Sequence, residues 1–144
     1  NEFFEIKRFN LSNITLEYSR VNLNRMLEQL TYEFKPMLLE KNLKCELEIA
    51  PDTMIKCDVN KMQRVFDNLM RNAVNYSFDD STIHIAVKQN VEQFYRLDVA
   101  RSSRSGGAGL GLAVAKEIVE LHNGTITAKS ENEQIEFTVT LPLL

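Results

Sequence analysis

Apolar positions along the chain change period several times, and the changes mark its elements. From Leu23 onward apolar residues recur at Met26, Leu27, Leu30, Phe34 and Leu38, the spacing of a helix with one buried stripe. Pro36 falls inside that pattern and, having no amide hydrogen, predicts a kink or an early stop. Leu43, Cys45, Leu47 and Ile49 then alternate with Lys44, Glu46 and Glu48, which predicts a half-buried strand. Pro51-Asp52 supplies a turn, and Met54 to Cys57 a further short strand. The strongest periodicity follows. Met62, Val65, Phe66, Leu69, Met70, Ala73 and Val74 are spaced by threes and fours and their sums, which defines a long amphipathic helix.

Weaker patterns complete the outline. Ile14 to Leu23 alternates loosely and Thr82 to Val87 alternates well, so both predict strands. Leu112 to Leu121 predicts a third helix, with Asn123-Gly124 as its stop. Thr125 to Ala128 and Ile135 to Leu141 predict a terminal hairpin whose Ile135, Phe137, Val139 and Leu141 share one side. Strands interleaved with helices and closed by a hairpin predict an α/β (α+β) sandwich. Its mixed sheet of about five strands would be covered on one face by three helices.

Composition narrows the class without naming a function. The 144 residues suffice for one domain, read here as 11–144, with 1–10 as the tail of an upstream helix or a linker. Twenty acidic against 17 basic residues, a net charge of -3, offer no global attraction to nucleic acid or an anionic membrane. No stretch approaches the ~20 apolar residues of a membrane span, and no signal peptide opens the chain, which predicts a soluble fragment. Cys45, Cys57, His84 and His122 show no metal-ligand spacing, so the cysteines read as buried thiols in a reducing compartment.

Three features carry chemistry. Four of the five glycines lie in Gly106-Gly107-Ala108-Gly109-Leu110-Gly111, directly before the third helix. Glycines let a backbone approach phosphates, and the free amides of a helix start favour an anion. A flexible linker is the alternative, but linkers pair glycine with serine rather than with alanine and leucine. The run is not a Walker loop, because Leu112-Ala113 follows where Lys-Ser/Thr is needed. Nor does it follow a predicted strand, as a dinucleotide-binding turn would. The second feature is Asn68 and Asn72, one helical turn apart beside the apolar stripe, with Asn75 and Tyr76 following. Alone they read as border residues; with a phosphate loop, an amide oxygen becomes a candidate hard ligand for Mg²⁺. The third is Phe94-Tyr95-Arg96 with Arg101 and Arg104, which fits a lid anchor touching phosphates and fits a packed aromatic beside a solvated loop equally well.

Taken together these segments resemble the ATP-binding catalytic domain of sensor histidine kinases, a branch of the Bergerat-type (GHKL) ATPases. Asp67-Asn68-Leu69-Met70-Arg71-Asn72-Ala73 with Tyr76-Ser77 is similar to the N box, Phe94-Tyr95-Arg96 to the F box, and Gly107 to Leu112 to the G2 box. The resemblance covers nearly the whole chain in order. It is narrower for the sensor kinases of vancomycin (glycopeptide) resistance, through Phe3-Phe4-Glu5-Ile6, Arg8-Phe9-Asn10, Phe66-Asp67-Asn68 and Phe94 to Gly111. It implies ATP and Mg²⁺, with Asn72 helping to hold the metal, Asn68 assisting it or its water, and Tyr76 near the nucleotide. Arg101, Gly107, Gly109, Leu110, Gly111 and Leu112 would surround the phosphates. It further implies γ-phosphate transfer to a histidine on a separate dimerisation domain, then to the receiver domain of a response regulator. The setting implied is the cytoplasmic side of a bacterial plasma-membrane sensor.

The chain departs from the pattern in three places. There is no phosphoacceptor His-Glu/Asp motif, and Asn75 stands where the family often has a phosphate-contacting Lys or Arg. The G1 box, an Asp-x-Gly-x-Gly whose carboxylate reads the adenine amino group, is missing. Lys88-Gln89-Asn90-Val91 runs straight into Glu92-Gln93-Phe94, which predicts residues absent near 90–92 through disorder or deletion. Two rivals stand beside the kinase reading. One is an ATPase of the gyrase, heat-shock-90 or mismatch-repair kind, which typically has a Glu base where Asn68 stands. The other is a degenerate docking module without catalysis.

Overall fold

The computed structural model describes residues 15–90, 94–102, 110–131 and 134–142, with side chains described for 15–87, 111–128 and 136–142. Along the chain these form β1 (Tyr18–Asn22), α1 (Leu23–Glu33), α2 (Lys35–Glu40), β2 (Lys44–Glu48), β3 (Met54–Asp58) and α3 (Val59–Tyr76). They continue as β4 (Thr82–Asn90), β5 (Phe94–Ser102), α4 (Leu110–Leu121), β6 (Thr125–Glu131) and β7 (Gln134–Pro142). Five strands make the main sheet in the order β2-β4-β5-β7-β6, and β1 with β3 forms a separate two-stranded ribbon. Only the β2–β4 pairing is parallel, so the sheet is mixed, and α3 lies in the crossover between those two strands. The expected α/β sandwich is the architecture observed.

The core lies between the sheet and the three longer helices. Met62, Val65, Leu69 and Ala73 on α3 and Ala115 and Val119 on α4 are almost inaccessible, as are Ile83, Phe137 and Val139 from the sheet. The alternation predicted for the last strand is therefore real, with Phe137, Val139 and Leu141 all turned inward. Pro36 acts as expected. It sits in the first turn of α2, where a missing amide costs nothing, and the chain bends at Phe34 between α1 and α2.

Short polar residues set the ends. Asn22 caps α1 by accepting from the Arg25 amide at 3.1 Å, and Asp58 caps α3 by accepting from the Lys61 amide at 3.2 Å. At the other end of α3, the Lys41 ammonium donates to the carbonyl oxygens of Val74 at 2.9 Å and Asn75 at 3.3 Å. A cation there answers the partial negative charge of the helix end. Asn123, at φ 62, takes the left-handed position after α4. Gly124 beside it is needed for space, because a Cβ there would overlap the Thr140 carbonyl oxygen.

One stretch differs from expectation. Phe94-Tyr95-Arg96, read as a lid anchor or loop, lies in strand β5, which pairs with β4 on one side and β7 on the other. Arg101 belongs to the same strand, opposite Ile135. Period-two alternation is present in Tyr95, Leu97 and Val99, but the charged residues between them hid it. A strand thus precedes the glycine run after all. It is antiparallel to both neighbours, so the parallel unit of a dinucleotide-binding fold is still excluded.

Candidate functional site

The candidate site is where α3 passes the start of α4. Asn68 donates from Nδ2 to the Gly111 carbonyl oxygen at 3.0 Å, joining the middle of α3 to the first turn of α4. A Cβ on Gly111 would stand 3.3 Å from Asn68 Cγ, so glycine lets these two helices approach. The expectation for Gly111 was backbone approach to a phosphate; the structure adds contact with Asn68. Leu112, next along, is half-buried against the core.

Asn72 stands one turn beyond Asn68 and is 9% exposed. Its Nδ2 donates to the Asn68 carbonyl oxygen at 3.0 Å, which orients the amide. Its Oδ1 is buried and has no hydrogen-bond partner among the described residues. Leaving such an oxygen unpaired costs on the order of 1–3 kcal/mol. A hard cation fits this oxygen, because an amide carbonyl is a ligand that Mg²⁺ accepts.

Tyr76 ends α3 and is 38% exposed. The last turn beneath it is held by Ser77, whose hydroxyl donates to the Ala73 carbonyl, and by Lys41. Asn75 turns its side chain outward. Among the described residues, Arg71 is engaged away from Asn68 and Asn72. It pairs with Asp67 at 3.3 Å and covers the Phe34 ring at 5.3 Å. Gly107 and Gly109 lie outside the described residues; Leu110 opens α4 and Arg101 lies in β5, and neither side chain is described. Of the expected set, Asn68, Asn72 and Gly111 are brought together.

Two further residues govern this helix pair and escaped sequence reasoning. His122, 4% exposed, accepts at Nε2 from the Asp58 amide at 3.0 Å and donates from Nδ1 to the Ile118 carbonyl at 2.8 Å. Asp58 accepts in turn from the amides of Glu17 at 2.9 Å and Lys61. Those bonds, the Glu17 amide foremost, hold its carboxyl below the usual carboxylate range. A polar residue just before a helical run was the available signal for Asp58. Of the two cysteines expected to be buried, Cys57 is and Cys45 is only half-buried; burial pushes the Cys57 thiol up to about 11 and raises that of Cys45.

Comparison with known proteins decides the family. Residues 89–144 match the family described as histidine kinase-, DNA gyrase B-, and HSP90-like ATPase. The chain is 43% identical to the sensor protein VanSC of Enterococcus gallinarum over 99% of its own length. This chain belongs to the histidine kinase ATP-binding domains. The domain is also 40% identical to the sensor protein VanS of Enterococcus faecium over 100% of its length. It spans less than half of each relative, 45% and 43% respectively. In structure it is similar to the Acinetobacter baumannii histidine kinase AdeS. The TM-score is 0.82 at 23% identity, over 92% of this chain and 70% of that one, a likeness of fold.

The alignment with VanSC runs over 164 positions against the domain's 144 residues, so at least 20 positions of that relative face no residue here. With VanS it runs over 166. Between β4 and β5, meanwhile, the described chain resumes almost at once, with Asn90 paired opposite Phe94. No helix among the described residues is long and apolar enough to cross a membrane.

Proposed function

We propose that this domain binds Mg²⁺-ATP and serves as the catalytic half of a two-component sensor kinase, delivering the γ-phosphate to a histidine on a separate dimerisation domain. The observation that carries the reading is the buried Oδ1 of Asn72, without a partner among the described residues and set beside an Asn68 that is tied to the first turn of the glycine-led helix. Asn72 would hold the metal through that oxygen, and Mg²⁺, when bound, would neutralise phosphate charge. Asn68 would keep the start of α4 at a fixed distance from Asn72, and the amides there would face the phosphates. Tyr76 would lie against the nucleotide, with Arg101, Gly107, Gly109, Leu110 and Leu112 around the phosphates. Catalysis would rest on positioning and charge, without a covalent protein nucleophile.

The similarity to VanSC and VanS supports a role in vancomycin-resistance signalling, with a response regulator as final acceptor and a bacterial membrane sensor as the whole protein. We place the unmatched positions of those relatives at the β4–β5 connection, which would remove the adenine-reading G1 segment. That placement favours one second reading, a domain that keeps the docking surface of a kinase without its turnover. Titration of Mg²⁺-ATP into the protein separates the two. Saturable binding that Asn72→Ala abolishes supports the site; no binding at millimolar nucleotide rejects it. Binding unchanged in Asn72→Ala, with Mg²⁺ present, rejects the metal role alone.

A further inference from the structure

We propose that His122 is a positioning residue for the nucleotide site, acting from the opposite end of α4. The inference rests on the function proposed above for its consequence, but its geometry is independent. Helices α3 and α4 run antiparallel, and two polar bonds found among the described residues tie them at separated heights. Asn68 Nδ2 meets the Gly111 carbonyl at 3.0 Å near the site, and the Asp58 amide meets His122 Nε2 at 3.0 Å far from it. At about 1.5 Å of rise per residue the two pins stand roughly 15 Å apart along the pair.

Apolar contact between the helices is strong but not directional, and ridges can settle into more than one groove. A hydrogen bond weakens steeply once its length and angle are lost. A slip of α4 by one residue along α3 would lengthen both pins together, so the pair defines a single axial position. His122 is built to hold its end. Its ring is buried, its tautomer is set because Nδ1 donates to the Ile118 carbonyl at 2.8 Å, and Tyr18 abuts it edge-on at a centroid distance of 5.6 Å. The partner amide is equally fixed, since Asp58 caps α3, accepts from Glu17 and pairs with Tyr18 across the β1–β3 ribbon. The position of Gly111 against Asn68 and Asn72 is therefore set in part by a histidine at the far end of the helix.

The test compares His122→Phe, which keeps a ring against Tyr18 but has no acceptor, with His122→Gln, whose Oε1 can still accept from Asp58. Hydrogen exchange of the Asn68 side-chain amide, read by NMR, reports the distant pin without nucleotide. In folded His122→Phe it should quicken about tenfold, and the Mg²⁺-ATP dissociation constant should rise about tenfold; His122→Gln should restore both. A folded His122→Phe with wild-type exchange and affinity would overturn the proposal. If His122→Phe does not fold, His122→Asn, too short to reach Asp58, replaces it. Exchange retained with Gln and lost with Asn supports the pin, and equal exchange in both refutes it. A wild-type protein that binds no nucleotide would defeat the proposed function, and the exchange comparison would still decide whether His122 sets the helix position.

Discussion

At the scale of single residues, Asn72 separates stability from function. It contributes one side-chain bond to a carbonyl that the helix already engages, and it buries an oxygen with no partner among the described residues. Removing a group that is partly unsatisfied should be nearly neutral for folding. Asn72→Ala is therefore expected to shift unfolding in urea by less than about 1 kcal/mol while abolishing Mg²⁺-dependent nucleotide binding. A loss of several kcal/mol would mean that the oxygen has a structural partner and would end its candidacy as a ligand. Asp58 makes the opposite case. Its carboxylate is stabilised by two amides, so its folded pKa lies below its unfolded value. Its contribution is then complete above the ordinary carboxylate range and disappears as pH falls through the depressed folded value. Asp58→Ala should cost about 1–2 kcal/mol at neutral pH, as lost helix caps do. Urea midpoints of the variant and the wild type should converge on acidification, and a gap that stays constant to pH 3 would refute the assignment.

At the scale of elements, legibility followed the strength of the local pattern. α3 was plain because seven apolar residues keep helical spacing, and Leu69, fully buried at its centre, should cost about 2–5 kcal/mol when cut to alanine. β5 was not, because Arg96 and Arg101, taken with Arg104, read as a lid or loop, and the strand shows itself only in its pairing with β4 and β7. The stop after α4 was found as a pair, and the structure divides its roles. Asn123 supplies the left-handed turn, whereas Gly124 makes room for the backbone of β7, a contact invisible without the hairpin in place. Gly124→Ala should thus lower stability by about 1–3 kcal/mol through overpacking, measurable as a lower denaturation midpoint. Relieving φ strain cannot offset that loss, because Gly124 does not have positive φ. Asn68 and Asn72 could be named once their spacing was read beside the glycine run. Their meeting with Gly111, and the His122 pin behind it, required the antiparallel packing of two helices distant in sequence.

At the scale of the whole domain the open matter is what the site reads. The elements that hold Asn68, Asn72 and the start of α4 are all present, and they face the phosphate end of a nucleotide in the proposed function. The base end would depend on a carboxylate donated from the chain after β4, where Asn90 and Phe94 are already paired across adjacent strands. If the positions that VanSC has in excess fall at that connection, phosphate recognition survives and base recognition does not. A buried polar group built to match a substrate discriminates by as much as about 10⁴–10⁵-fold against analogues that cannot pair with it, and a site without one loses that power. ATP, GTP and inorganic tripolyphosphate, each with Mg²⁺, should therefore displace a fluorescent nucleotide with midpoints within about threefold of one another, a spread of less than roughly 1 kcal/mol. Asn72→Ala should abolish the binding of all three alike, since its oxygen would act on the metal and phosphates they share. A preference for ATP over GTP beyond about thirtyfold, some 2 kcal/mol, would require a polar group reading the base. The domain would then have an adenine site built from other residues, and the unmatched positions would have to lie elsewhere in the chain.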